Sequence, residues 1–350
     1  ALIMALSIAP SAAISNTALE QARDLMEANE FDAAMDALWP LARSGNADAE
    51  ELIGAFAIAK DEEVRTLTVS QVRYVPGRSV TAQYRADVRT AQGRPVTRTY
   101  VASSGLDVPA STAVFEADDV RIAVWQFPHD PFLPGLATAV DQLRVGELLE
   151  QVGARPGTAR IRTRAYRAGR RAVVEVTTGS DRVFIKVLRP AKVARLQDKH
   201  SELAGHVPVP HSLGWSGEQG VVVLQAMPGR TLRKAVESST RRLPSAQQLT
   251  ALLDRFPNPN GGARRVRGPH ETAGTHGNTI GSILPDAADR VAAIVAGVGE
   301  VTPTEQVAVH GDYHSSQVLV RGSDIVGLVD VDTAGLGERA NDLANILGHL

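Results

Sequence analysis

VAVHGDYHSSQVLVRGSDIVGLVDVDTAG, residues 307–335, is the stretch on which the reading of this chain turns. Apolar Val307, Ala308 and Val309 lead into a tight turn at His310, Gly311 and Asp312. Polar residues run to Gln317, and Val318, Leu319 and Val320 then predict a strand. A turn over 321–324 and a second apolar run, 325–329, complete a hairpin. That hairpin delivers Asp330 at its far end and holds Gln317 just before its start. Three oxygen-bearing side chains, Asp312, Gln317 and Asp330, are thereby brought to one end of a two-stranded unit. Oxygen donors of this kind suit Mg²⁺, which is usually held by one or two carboxylates together with phosphate oxygens.

Phosphoryl transfer asks little else of a protein. It needs an aspartate to take the proton of the attacking hydroxyl, ligands for Mg²⁺, and a cation that places the phosphates. Lys186 meets the last requirement. It lies in the run Phe184, Ile185, Lys186, Val187, where a lone charge among apolar neighbours is costly without a partner. Acidic candidates on the helix that follows are Asp198 and Glu202.

HGDYHSSQ with Asp330 thirteen residues on resembles the catalytic core of the aminoglycoside phosphotransferase superfamily, whose members include choline-kinase-like, maltokinase-like and fructosamine-kinase-like enzymes. Ala334-Gly335-Leu336-Gly337 and Asp342-Leu343-Ala344 are similar to the family as well. The resemblance spans roughly residues 159–350, and its maltokinase-like branch is the nearer echo, since Gln takes the metal position there too. It implies an α+β, two-lobed protein-kinase-like fold, with a β-rich N-lobe over 158–227 and a helical C-lobe over 228–350. It further implies Asp312 as catalytic base, Gln317 and Asp330 as metal ligands with Asp332 as a second carboxylate, and Lys186 on the α/β phosphates of ATP or GTP. His310 and Asp342 would brace the catalytic loop. Three departures stand out. Gln317 replaces the common Asn, Asp330-Val331-Asp332 replaces Asp-Phe-Gly, and the phosphate-covering turn YRAGRR (166–171) has one glycine, Gly169, flanked by Arg170. Gln225 and Met227, at the end of the apolar run 221–224, are candidates for main-chain contacts to a nucleobase.

Upstream, residues 63–157 predict a β-rich domain that ends in a helix over 138–152. Alternating runs at Val69, Val72, Tyr74, at Val80, Ala82, Tyr84 and at Val96, Tyr100, Val101 carry it. Tyr74, Gly77 and Arg78 echo Tyr166, Gly169 and Arg170, which suggests two related meanders, the first with Arg98 where the second has Lys186. Residues 16–62 predict helices that resemble Sel-like tetratricopeptide repeats and would suit a protein partner. Residues 1–15, ALIMALSIAPSAAIS, look like the apolar end of an export signal. The start at Ala1 and the end within an expected helix, 341–350, read as a piece of a longer protein. Helices are also expected over 232–238, 245–256 and 284–298, and 257–279 reads as a long loop. Within that loop the basic Arg264, Arg265 and Arg267 read as a solvated face.

Composition limits the function classes. Net charge is −2, from 37 Lys and Arg against 39 Asp and Glu, which implies no pull toward nucleic acid. Cysteine is absent, which excludes disulfides, thiolate nucleophiles and cysteine-based zinc sites. His270 and His276 lack partners at ligand spacing, and His314 reads as a hydrogen-bonded turn residue. No stretch is long and apolar enough for a transmembrane helix. The expectation is a cytoplasmic small-molecule phosphotransferase acting on a sugar or aminoglycoside-like hydroxyl. Its rival is a catalytically weak kinase-fold binding or scaffold protein. A protein kinase is disfavoured, because no Ala-Pro-Glu element follows Asp330.

Overall fold

The computed structural model describes residues 53, 57, 62–75, 78–117, 120–151, 159–179, 181–238, 242–257, 264–281, 284–298 and 304–350. The signal-like segment 1–15 and nearly all of the expected repeat helices lie outside these residues. The chain folds as two compact units, residues 1–132 with 273–299, and 133–272 with 300–350.

In the first unit, five strands, β1 (Glu62–Val75), β2 (Ser79–Thr90), β3 (Pro95–Ser104), β4 (Ala113–Ala117) and β5 (Val120–Gln126), form an antiparallel sheet in the order β1-β2-β3-β5-β4. Alternation sends Ala82, Tyr84, Ala86 and Val88 of β2 into one core with Tyr100, and helical Ile53 and Ala57 pack against them. Glu62, the first residue of β1, is buried and fully partnered. It accepts from Arg98 Nε at 2.9 Å and from Tyr100 Oη at 2.9 Å. Arg98, the position that echoes Lys186, is thus tied to a carboxylate of its own sheet.

The second unit opens with two short helices, α1 (Leu136–Val140) and α2 (Val145–Gln151). They replace the single helix expected over 138–152, because the chain becomes extended at Asp141, whose carboxylate caps the N–H groups of Leu143 and Arg144. α1 packs on the strands that follow, so it belongs to this unit rather than to the preceding β-rich domain. Those strands are β6 (Ala159–Arg167), β7 (Arg171–Thr178), β8 (Asp181–Leu188), β9 (Ser212–Ser216) and β10 (Val221–Gln225), an antiparallel sheet in the order β6-β7-β8-β10-β9. Period-two alternation places Val174, Val176, Ile185, Val187, Val221 and Val223 on one buried face. Lys186, Leu188, Val222 and Leu224 lie on the other, where α3 (Val193–Ala204) covers part of the sheet through Val193 and Leu196.

Beyond β10 the chain is mainly helical. β11 (Arg230–Thr231) leads into α4 (Leu232–Glu237), and α5 (Ala246–Asp254) starts at a capping box between Ser245 and Gln248. Part of the expected loop is helix, α6 (Pro269–Gly281). Four weak helix formers hid it, Gly274, Gly277, Thr275 and Thr279, and packing decides instead. A Cβ at Gly277 would lie 2.5 Å from Val295 of α7 (Ala288–Val298), so the missing side chain is what lets the two helices meet. Residues 273–299 of this pair fall in the first unit. The decisive stretch then forms β12 (Gln306–Val309), β13 (Val318–Arg321), β14 (Asp324–Leu328) and β15 (Gly335–Glu338), followed by α8 (Arg339–Gly348). β13 and β14 are the expected hairpin, with β11 on its edge, and β12 pairs with β15. Leu232, Leu249, Leu252, Leu253, Tyr313, Val318, Leu328 and Ile346 share one core beneath them. The architecture is the expected α+β one, a sheet lobe and a largely helical lobe. Among the described residues no helix is long and apolar enough to cross a membrane.

Candidate active site

Lys186 leaves the centre of β8 and meets the far end of the β13–β14 hairpin. Its Nζ lies 2.9 Å from Asp330 Oδ1 and 2.5 Å from Asp332 Oδ1. The contact spans 144 residues of sequence. Asp198 and Glu202, the candidates on the following helix, are not in these ion pairs; the end of the hairpin and the turn after it supply the charge instead. Arg171, the first residue of β7, adds a second cation, with Nη1 3.7 Å from Asp330 and 3.5 Å from Asp332. Lysine, arginine and two carboxylates thus close a four-charge cluster at the junction of sheet and hairpin.

Electrostatics follow from that geometry. Burial alone would lower the Lys186 pKa, but Asp332 and Asp330 outweigh it and hold the ammonium above its ordinary value of 10.5. Burial alone would raise Asp330, yet Lys186 and then Arg171 hold its carboxyl below 3.8. Asp330 therefore contributes stability that is complete above 3.8 and is lost as pH falls through the lower folded value. Lys186 contributes stability that is complete below 10.5 and is lost as pH rises through its higher folded value. Asp330→Asn should cost about 1–3 kcal/mol at neutral pH, since it removes a charged hydrogen-bond acceptor from a shielded lysine. Urea unfolding should show this gap closing in acid, as the wild-type carboxyl itself takes up a proton.

The His-Gly-Asp turn is held from below. Asp342 of α8, 2% exposed, accepts the N–H of His310 at 2.7 Å and that of Gly311 at 2.9 Å. His310 Nε2 lies 3.1 Å from the carbonyl of Val329, so that nitrogen carries the proton. Nδ1 is buried without a partner, and burial lowers the imidazole pKa despite the Asp342 charge. A neutral imidazole therefore joins the turn to the residue before Asp330. Gly311 has φ +77°, and a Cβ there would lie 2.9 Å from Thr333 O, so both conformation and space require glycine.

Asp312 and Gln317 gather around His314 rather than around Lys186. Asp312, 45% exposed, has Oδ2 3.8 Å from His314 Nε2. The amide nitrogen of Gln317, Nε2, lies 3.1 Å from the same ring nitrogen. The other ring nitrogen, Nδ1, accepts the N–H of Ser316 at 3.3 Å. The two groups adjoin through the main chain, because Val329 N–H donates to the Gln317 carbonyl at 2.9 Å. Among the described residues no three His, Asp or Glu side chains converge as a metal cage. The donor set nevertheless suits Mg²⁺. Asp330 and Asp332 are oxygen donors that already draw in two cations, and Mg²⁺ takes most of its remaining ligands from phosphate and water.

The nucleotide-contact candidates are spread around this centre. Gly169, φ +65°, makes the β6–β7 turn, and its carbonyl accepts Arg189 Nε at 2.7 Å. Arg170 is exposed at that turn, while Arg171 is the arginine that reaches the carboxylates. The Gln225 N–H is donated to the carbonyl of His211, and the Ala226 N–H to that of Arg182. Met227 is half-buried. Phe184, two residues before Lys186, shares its face of the sheet, a signal that strand alternation carries.

A sheet lysine aimed at two carboxylates of a hairpin, on this α+β framework, defines a kinase-like enzyme fold. The chain belongs to the phosphotransferase enzyme family (APH), whose model matches residues 162–350, over half of its length. The match starts within β6 and does not reach the strands of the first unit. No curated protein matches the chain. Solved structures similar to it include macrolide 2'-phosphotransferase MphH from Brachybacterium faecium, at 17% identity and TM-score 0.41, over 57% of this chain and 74% of that one. An aminoglycoside-3'-phosphotransferase of type VIII is similar at 23% identity and TM-score 0.41, over 60% and 82%. Spectinomycin phosphotransferase APH(9)-Ia, solved with ADP and spectinomycin, is similar at 16% identity and TM-score 0.43, over 58% and 72%.

Proposed function

We propose that this phosphotransferase moves the γ-phosphate of ATP or GTP onto a hydroxyl of a small molecule, a sugar or an aminoglycoside-like compound. The observation that supports it most is the cluster of Lys186, Arg171, Asp330 and Asp332, within the family-matched segment. Lys186 and Arg171 would neutralise and place the phosphates. Asp330 and Asp332, with the Gln317 amide oxygen, would hold Mg²⁺, which when bound offsets charge on the phosphate oxygens. Half-exposed Asp312 would orient the acceptor hydroxyl and take its proton, on a turn kept rigid by Asp342 and His310. Phe184 would wall the nucleobase beside the linker that ends in Met227.

The test incubates the full chain with Mg²⁺ and ATP or GTP, and with a panel of sugars, amino sugars, aminoglycosides and macrolides. Mass spectrometry should find an acceptor heavier by one phosphoryl group. A chain that binds nucleotide but phosphorylates none of the panel, and releases no phosphate, would favour the binding or scaffold role instead.

A further inference from the structure

On α3, the helix that carries Asp198 and Glu202, a lysine faces the loop that bears Asp330 and Asp332. Lys199 Nζ donates to the main-chain carbonyls of Asp332, at 2.9 Å, and of Ala334, at 2.5 Å. These carbonyls belong to the turn that follows Asp330. Asp330 itself has φ 59° and ψ 44°, and is the one non-glycine residue at positive φ among those described. A backbone in that region is kept there by its surroundings, at some cost. Thr333 Oγ1 donates to the His310 carbonyl and Ala334 N–H to that of Val331, so these bonds pin the turn to its own lobe. Lys199 reaches it from α3, the helix that packs on the sheet bearing Lys186. The position is unfavourable for a cation. Burial, with the charges of Arg195 and Arg264, lowers the Lys199 pKa to about 8, against the pull of Asp332 and Glu202.

We propose that Lys199 is a positioning residue, which ties the 330–334 turn to α3 and so keeps the Asp330 and Asp332 carboxylates within reach of Lys186. Its consequence for catalysis rests on the phosphotransfer reading above; its consequence for the turn does not. An ammonium carries three donors and no acceptor, so one Lys199 side chain can give a hydrogen bond to each of the two carbonyls. A carboxylate at this place would instead be repelled by the same two oxygens.

Two measurements on the full chain test this, with Lys199→Met, which keeps the stem, and Lys199→Arg, which keeps a charged donor. Without any ligand, amide hydrogen exchange at Ala334 and Leu336 should quicken at least about tenfold in Lys199→Met, with β7 and β8 unchanged. With nucleotide, Mg²⁺ and an acceptor, kcat should fall about 30- to 100-fold while the nucleotide KM stays within about threefold, because the carboxylates are displaced rather than lost. Lys199→Arg should recover both properties. A folded Lys199→Met chain with unchanged exchange at those amides, or with unchanged kcat, would overturn the proposal. Should Lys199→Met fail to fold, Lys199→Gln, which retains one donor group, takes the same measurements. If no acceptor is phosphorylated at all, the exchange experiment decides the matter alone.

Discussion

Asp312→Asn is expected to lower the rate of phosphotransfer about 10³-fold and to leave the fold and the nucleotide KM nearly unchanged. General-base contributions typically amount to 10²–10⁴-fold, and the substitution removes the proton acceptor while keeping shape. The fold should survive because Asp312 is 45% exposed and its nearest ionic contact, His314 Nε2, stands 3.8 Å away. The turn that carries it is held through the N–H groups of His310 and Gly311, neither of which involves the Asp312 side chain. Steady-state kinetics with saturating nucleotide, beside a thermal melt, separates the two effects. A variant that transfers phosphate at the wild-type rate would remove Asp312 from the chemistry.

Lys186→Met should damage both stability and catalysis. Lys186 is 8% exposed, and its loss leaves Asp330 and Asp332 with Arg171 as their remaining cation within 4 Å among the described residues. Breaking a buried pair costs about 3–5 kcal/mol. The carboxylates here retain 27% and 19% exposure, so solvent screening brings the expected cost to about 2–3 kcal/mol. The pH dependence should reverse in sign. In the wild type, Asp330 loses a favourable interaction as it is protonated below 3.8. In the variant, burial acts on Asp330 without the Lys186 charge that offset it, so acidification relieves the carboxylate and urea resistance rises toward mildly acidic pH. Phosphotransfer should fall at least about 100-fold, with weaker nucleotide binding, since the cation that places the phosphates is gone. Wild-type affinity for nucleotide in Lys186→Met would contradict the assignment.

The hairpin of β13 and β14 was legible because its signals are local. Two apolar runs with a Gly-containing turn define it, and its length delivers Asp330 to the end where Gln317 begins. The sheet of β6, β7, β8 and β10 was legible for the same reason. Strand β9 was not, since Ser212, Leu213, Gly214 and Trp215 carry little β-branched signal and pair with β10 through tertiary context. Helix α6 was hidden by its glycines. The break at Asp141 was hidden too, because side-chain capping competes with helix in a way that apolar spacing does not record.

For the site, residue order singled out Asp312, Gln317, Asp330 and Lys186 as candidates, each at a turn or in a strand that its own neighbours define, while His310 and Asp342 came from the family resemblance. Which of them touch was decided by packing. Lys186 meets both Asp330 and Asp332, Arg171 rather than Arg170 points at them, and Lys199 grips the turn that carries them. Coulomb energy depends on separation through space, and a contact closed over 144 residues leaves no mark in the spacing of either partner.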